Sequence, residues 1–169
     1  MKSNLQRTIT PVDGSVYLTR KLASGPAIEK ALARAAAAQK SWKQVPVAER
    51  AAICRRMAEW CVARADDLAT ELSWQMGRPV SQTPGELKRG FHERALHMCS
   101  QAESALADLQ VDPKPGFQRF IRREPLGVVL VVAPWNYPWL TSVNAAILRI
   151  TLLPASSAGM TAFTEVSQG

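Results

Sequence analysis

The chain has 169 residues and a formal net charge of +7, with 47% hydrophobic and 21% charged residues. That length holds one ordinary domain, or a domain with an appendage, and the composition excludes wholesale disorder. The arginines are spread over helical patterns instead of gathered in a dense run, so the positive charge does not point to a nucleic-acid partner.

Taken in chain order, short β-favouring pieces at residues 7–10 and 15–20 flank Asp13-Gly14, a pair suited to a tight hairpin turn. Ser24 can cap a first helix running to about Gln44, in which Ile28, Leu32, Ala35 and Trp42 keep near-helical spacing. A second helix opens at Pro46 and stops at Gly77 and Pro79, with an apolar stripe of Ile53, Met57, Trp60, Cys61, Leu68 and Leu72. A third follows Thr83-Pro84, where threonine suits the cap and proline the first helical position; its stripe is Leu87, Phe91, Ala95, Met98, Ala102 and Leu109.

After Asp112 the pattern changes. "DPKPG" reads as a linker, and "FQRFIRRE", residues 117–124, alternates apolar with polar residues as an extended arm or edge strand does. Arg119, Arg122 and Arg123 then mark one solvated face. Val128 to Val132 is apolar without alternation, the mark of a strand buried on both faces of a parallel sheet. Such a strand needs parallel neighbours joined by crossovers, and few residues follow it. The fold class is therefore α/β: an N-terminal hairpin and three long helices, then the start of a Rossmann-like parallel sheet that is incomplete.

No apolar run reaches the roughly 20 residues of a spanning helix, and the first residues lack the apolar core of a secretory signal. The expected setting is cytoplasmic, with no membrane partner. Cys54, Cys61 and Cys99 are an odd number without C-x-x-C spacing and read as buried reduced thiols. His92 and His97, five apart in one helix, do not share a face, so no metal site is expected.

The chemistry concentrates in "APWNYP", residues 133–138, directly after the apolar strand. The C-terminal end of a strand is where open α/β sheets bind ligands. Asn136 can donate a side-chain N–H to a carbonyl oxygen that becomes anionic during addition, while the flanking prolines restrict the turn. By residue type, an asparagine in a proline-rich turn more often serves local backbone hydrogen bonds.

The stretch "REPLGVVLVVAPWNYP", residues 123–138, resembles the segment of the NAD(P)-dependent aldehyde dehydrogenase superfamily that enters the cofactor domain and carries its oxyanion-hole asparagine. Upstream, "PVAERAAICRRMAEWCVARADDLATELSWQMGRP" is similar to that family's early helix, whose usual Gly-Lys-Pro ending is here Gly77-Arg78-Pro79. The resemblance covers roughly residues 8–146. It implies NAD(P)-dependent oxidation of a small aldehyde to a carboxylic acid, in an enzyme that is oligomeric at full length. Asn136 takes the place of the amide holding the oxygen of a thiohemiacetal. Val132, Ala133, Pro134 and Trp135 match the wall of the cofactor site, for NAD or NADP, and Tyr137 the aromatic residue near the substrate tunnel.

The resemblance stops in "ILRITLLPASSAGMTAF", which has neither the family's Gly-Asn pair nor its cofactor-contacting lysine. Residues 1–146 are thus expected to form the first part of a cofactor-binding domain, and residues 147–169 a divergent tail, disordered or read from a shifted frame or alternative exon. The family's nucleophilic cysteine and general-base glutamate have no counterpart in the sequence. Negligible activity is therefore expected of these 169 residues by themselves. The alternative is a non-catalytic interaction module that uses its helices and an exposed strand edge.

Overall fold

A computed structural model describes residues 4–150. The N-terminal strands, β1 (Leu5–Ile9) and β2 (Val16–Lys21), pair antiparallel with a register shift between Thr8 and Ile9. Asp13 accepts a hydrogen bond from the Ser15 amide at 2.9 Å, and Gly14 takes a φ of 77°, open at no steric cost only to glycine.

Tyr17 of β2 stacks on Trp74 at 5.8 Å between ring centroids, and its hydroxyl donates to Glu71. That bond to a carboxylate, with lesser contributions from burial and charge, pushes the Tyr17 phenol from its ordinary 10 up to about 12. A raised folded-state value means the neutral phenol favours the docked hairpin. Its contribution is complete below pH 10 and is lost as pH rises through about 12. Unfolding of Tyr17→Phe, followed by circular dichroism from pH 9 to 12, is expected to lose this part of the alkaline dependence.

Helix α1 (Gly25–Trp42) begins as expected, with the Ser24 hydroxyl accepting from the Ala27 amide, but it has no buried residue. Its apolar positions Ile28 and Leu32 are exposed. The second expected helix is two: α2 (Val47–Ala63) and α3 (Ala65–Met76), separated at Arg64, whose φ of −114° and ψ of 22° leave the helical region. The face that goes inside shares Cys61 and Leu72 with the expected stripe but otherwise runs along small residues. Ala51, Cys54, Ala58, Cys61, Ala65 and Ala69 are buried, whereas Trp60 is exposed and Met57 and Leu68 pack at the margin. Small side chains let helices approach closely, and the large residues close the edges of the contact.

Gly77 ends α3 in the left-handed conformation, φ 82°. The next helix begins near Pro84, but Thr83 does not cap it through its side chain. Thr83 is fully buried, donates to the Pro79 carbonyl at 3.0 Å and contacts the Ser73 hydroxyl at 3.1 Å. Glu86–Phe91 is a π-helical segment that runs into α4 (His92–Leu106). Leu109, expected at the end of that helix, lies exposed in β3 (Leu109–Gln110), paired antiparallel with β4 (Phe120–Ile121) of the arm.

Helices α2 and α4, the π-helical segment and α5 (Pro138–Ile150) enclose one core that includes Leu87, Phe91, Ala95, Cys99, Ala102, Val143 and Ile147. The strand expected at Val128–Val132 is irregular, with a bend at Val128 and no strand partner among the described residues. Leu126 is 79% and Leu130 83% exposed. The physical reason is that a parallel strand requires neighbours, and both strand pairs here are antiparallel and lie elsewhere. Of the tail expected from residue 147, helix α5 takes in residues 147–150, and the rest lies outside the described residues.

Candidate functional site

This irregular segment leads through residues 132–134 to a turn at Trp135 and Asn136, and α5 starts three residues after Trp135, at Pro138. Proline suits that position because its missing N–H is one the first helical turn leaves unpaired. Val132, Pro134, Trp135, Asn136 and Tyr137 are exposed, and Ala133 is half-buried. The six residues singled out in the sequence thus form one continuous, largely exposed ridge leading into α5.

What fixes this ridge is a pair of residues whose roles the sequence did not disclose. Glu86, with its side chain 1% exposed, accepts hydrogen bonds through Oε1 from the Trp139 and Leu140 amides, both at 3.0 Å. Its other oxygen, Oε2, accepts from Arg78 Nη1 at 2.6 Å. The carboxylate therefore satisfies two otherwise unpaired amides at the start of α5 and meets the positive end of the helix dipole.

Arg78 extends the same clamp to the motif. Its Nη2 donates to the backbone carbonyl of Asn136, and its guanidinium lies 4.2 Å from the centre of the Tyr137 ring. The Asn136 main chain is thereby tied down while its side-chain amide stays on the open face. Beneath the turn, Trp139 meets Phe91 edge to face at 5.4 Å. Gly90 leaves room for Leu140: a Cβ there would stand 2.9 Å from Leu140 Cδ1. That glycine within an otherwise helical pattern was the available sign that another element approaches closely here.

The three thiols are elsewhere and closed off. Cys54, Cys61 and Cys99 are all buried and free. Burial pushes Cys61 up to about 11, only slightly offset by Arg64. A hydrogen bond with Cys99, reinforced by burial, pushes Cys54 upward as well. The same hydrogen bond lowers the Cys99 thiol, but Cys99 is itself buried, and nucleophilic attack needs an accessible thiolate, which none of the three environments supplies. In native buffer at pH 7.5, iodoacetamide is expected to alkylate these cysteines at less than about one hundredth of the rate in urea, as mass spectrometry would read.

Residues 132–135 fit a dinucleotide only in part. Exposed valine, proline and tryptophan offer an apolar wall, but the α5 amides that could receive a phosphate are already bonded to Glu86. Among the described residues no group of three or more metal-ligating side chains is gathered, and no helix is long and apolar enough to cross a membrane.

The fold thus places an exposed asparagine directly before the first turn of α5, with its main chain held by Arg78. The pattern of the aldehyde dehydrogenase family matches residues 1–153, and the chain belongs to that family. It is 32% identical over 139 residues to the NADP(+) succinate-semialdehyde dehydrogenase of Deinococcus radiodurans, covering 82% of this chain and 29% of that protein. The NAD(+) benzaldehyde dehydrogenase of Pseudomonas putida is 29% identical, covering 94% of this chain and 34% of the relative.

The fold matches an NAD-dependent benzaldehyde dehydrogenase from Corynebacterium glutamicum with a TM-score of 0.76 and 26% identity, over 89% of this chain and 33% of that one. An aldehyde dehydrogenase from Brucella melitensis gives 0.80 and 26% identity, over 88% and 30%. The chain thus spans about a third of the length of the relatives it matches, and its fold is an incomplete form of theirs.

Proposed function

We propose that residues 1–146 supply the first part of the cofactor-binding domain of an NAD(P)-dependent aldehyde dehydrogenase, with Asn136 as donor to the aldehyde oxygen. The observation that carries this reading is the Arg78–Glu86 clamp, which fixes the Asn136 backbone and leaves its amide free on the ridge. As a nucleophile adds to the carbonyl, charge grows on oxygen. A donor already held in place stabilises that charge without reorganising. Tyr137, steadied by Arg78, borders the substrate, and Val132, Ala133, Pro134 and Trp135 form one wall for the nicotinamide cofactor. When bound, that cofactor accepts the hydride.

Oxidation also needs a thiolate and a general base beside the amide, and the three cysteines of this chain are sealed in the helix core. The 169-residue chain by itself is therefore catalytically silent, and its setting is cytoplasmic. Succinate semialdehyde and benzaldehyde, named for the relatives, are the aldehydes to try. Incubated with either aldehyde and NAD or NADP, the purified chain is expected to give no absorbance rise at 340 nm above a protein-free control. Sustained turnover would overturn this reading.

A further inference from the structure

Between the end of α1, the first turns of α2, the end of α4 and the segment after β4 lies a cavity of about 380 Å³. Its charged lining is Lys43, Arg50, Arg122 and Arg123 against Asp108 and Glu124. Arg122 spends its charge on Asp108, donating from Nε at 3.3 Å and Nη2 at 3.2 Å. Lys43, Arg50 and Arg123 then face a single remaining carboxylate, that of Glu124.

Arg50 is the unusual member. The residue is only 5% exposed, yet its Nε and Nη1 are buried without a hydrogen-bond partner among the described residues. Guanidinium groups enclosed this far are ordinarily paired, because their donors lose water and must find acceptors. Burial also pulls the Arg50 pKa below its usual value, the direction expected when no anion is at hand. The positions one turn away on α2, Pro46, Val47, Ile53 and Cys54, offer no side-chain oxygen, and Arg50 itself lines the cavity.

We propose that this cavity is a binding site for a small oxyanion, a phosphate or carboxylate group that accepts from Arg50 and is drawn in by Lys43 and Arg123. Arginine's planar fork suits both kinds of anion, and a partly enclosed site strengthens each charge-assisted bond relative to open water. The volume admits a phosphate monoester or a short dicarboxylate. The site stands on the cavity and the orphaned guanidinium, and does not depend on the role given to Asn136.

The test titrates the 169-residue chain with inorganic phosphate, and separately with succinate, at ionic strength held constant with sodium chloride. Thermal unfolding and calorimetry are the readouts. The wild type is expected to gain stability with the logarithm of phosphate or succinate concentration, and whichever binds more tightly identifies the source of the oxyanion. Arg50→Met keeps the length of the side chain and is expected to weaken binding roughly tenfold or more, without loss of anion-free stability. Glu124→Gln removes the opposing carboxylate, leaves Arg50 in place and is expected to bind more tightly; it decides the matter if Arg50→Met does not fold. Absence of a response in the wild type, an equal response in Arg50→Met, or unchanged affinity in Glu124→Gln would overturn the proposal.

Discussion

Replacing Glu86 by alanine is expected to destabilise the fold by about 3–5 kcal/mol, the loss typical of breaking a buried ion pair from one side. The carboxylate has three partners: the Trp139 and Leu140 amides at 3.0 Å each, and Arg78 at 2.6 Å. Alanine leaves the two amides unpaired at a helix start and leaves Arg78, with its side chain only 11% exposed, without its anion. Glu86→Gln keeps an acceptor for the amides but loses the charge, so it should fall between the wild type and alanine. Urea unfolding followed by circular dichroism measures both. Near-equality of Glu86→Ala and the wild type would mean that α5 is held by its apolar face and that the clamp contributes little.

Because α5 and the motif share this anchor, the substitution should also loosen the ridge. Arg78 released from Glu86 would no longer be fixed beneath the Asn136 carbonyl and the Tyr137 ring. Stability and positioning of the amide are coupled through one buried carboxylate.

Much of this was legible in the residues, and the parts that were not have physical reasons. The hairpin follows from Asp13-Gly14 and the start of α1 from Ser24, because turns and caps depend on a few neighbouring atoms. The break at Arg64 left no trace in the sequence. No glycine or proline marks it, and the buried positions Cys61 and Ala65 keep helical spacing across it. In α2 the apolar stripe held at Cys61 and Met57 and failed at Trp60, because close packing favours alanine and cysteine over the largest residue beside them.

The segment at residues 128–132 shows the reverse case: its composition names the environment it suits, a two-sided sheet, and no described strand provides one. In the candidate site, the motif could be read because its residues are contiguous. Glu86 could not, since it stands 50 residues before Asn136 and nothing in its local pattern tells a capping carboxylate from a solvated one. Only tertiary packing brings it to the start of α5.

The second large effect concerns Asn136 and calls for a molecule in which the rest of the site is present. Residues 1–146 can replace the corresponding stretch of the Deinococcus radiodurans relative, with which this chain is 32% identical. The chimera would then combine this chain's amide and clamp with the relative's own remainder. An amide donor acting on the developing oxyanion contributes to the transition state more than to substrate binding, so its removal should fall on kcat and largely spare KM.

The most direct measurement is therefore steady-state NADPH formation from succinate semialdehyde by this chimera and by its Asn136→Ala form. A fall in kcat of about 100- to 1,000-fold is expected, with KM changed by no more than about a few-fold. If Asn136→Ala kept kcat within about threefold of the parent chimera, the amide would not be the oxyanion donor, and the central claim would be wrong.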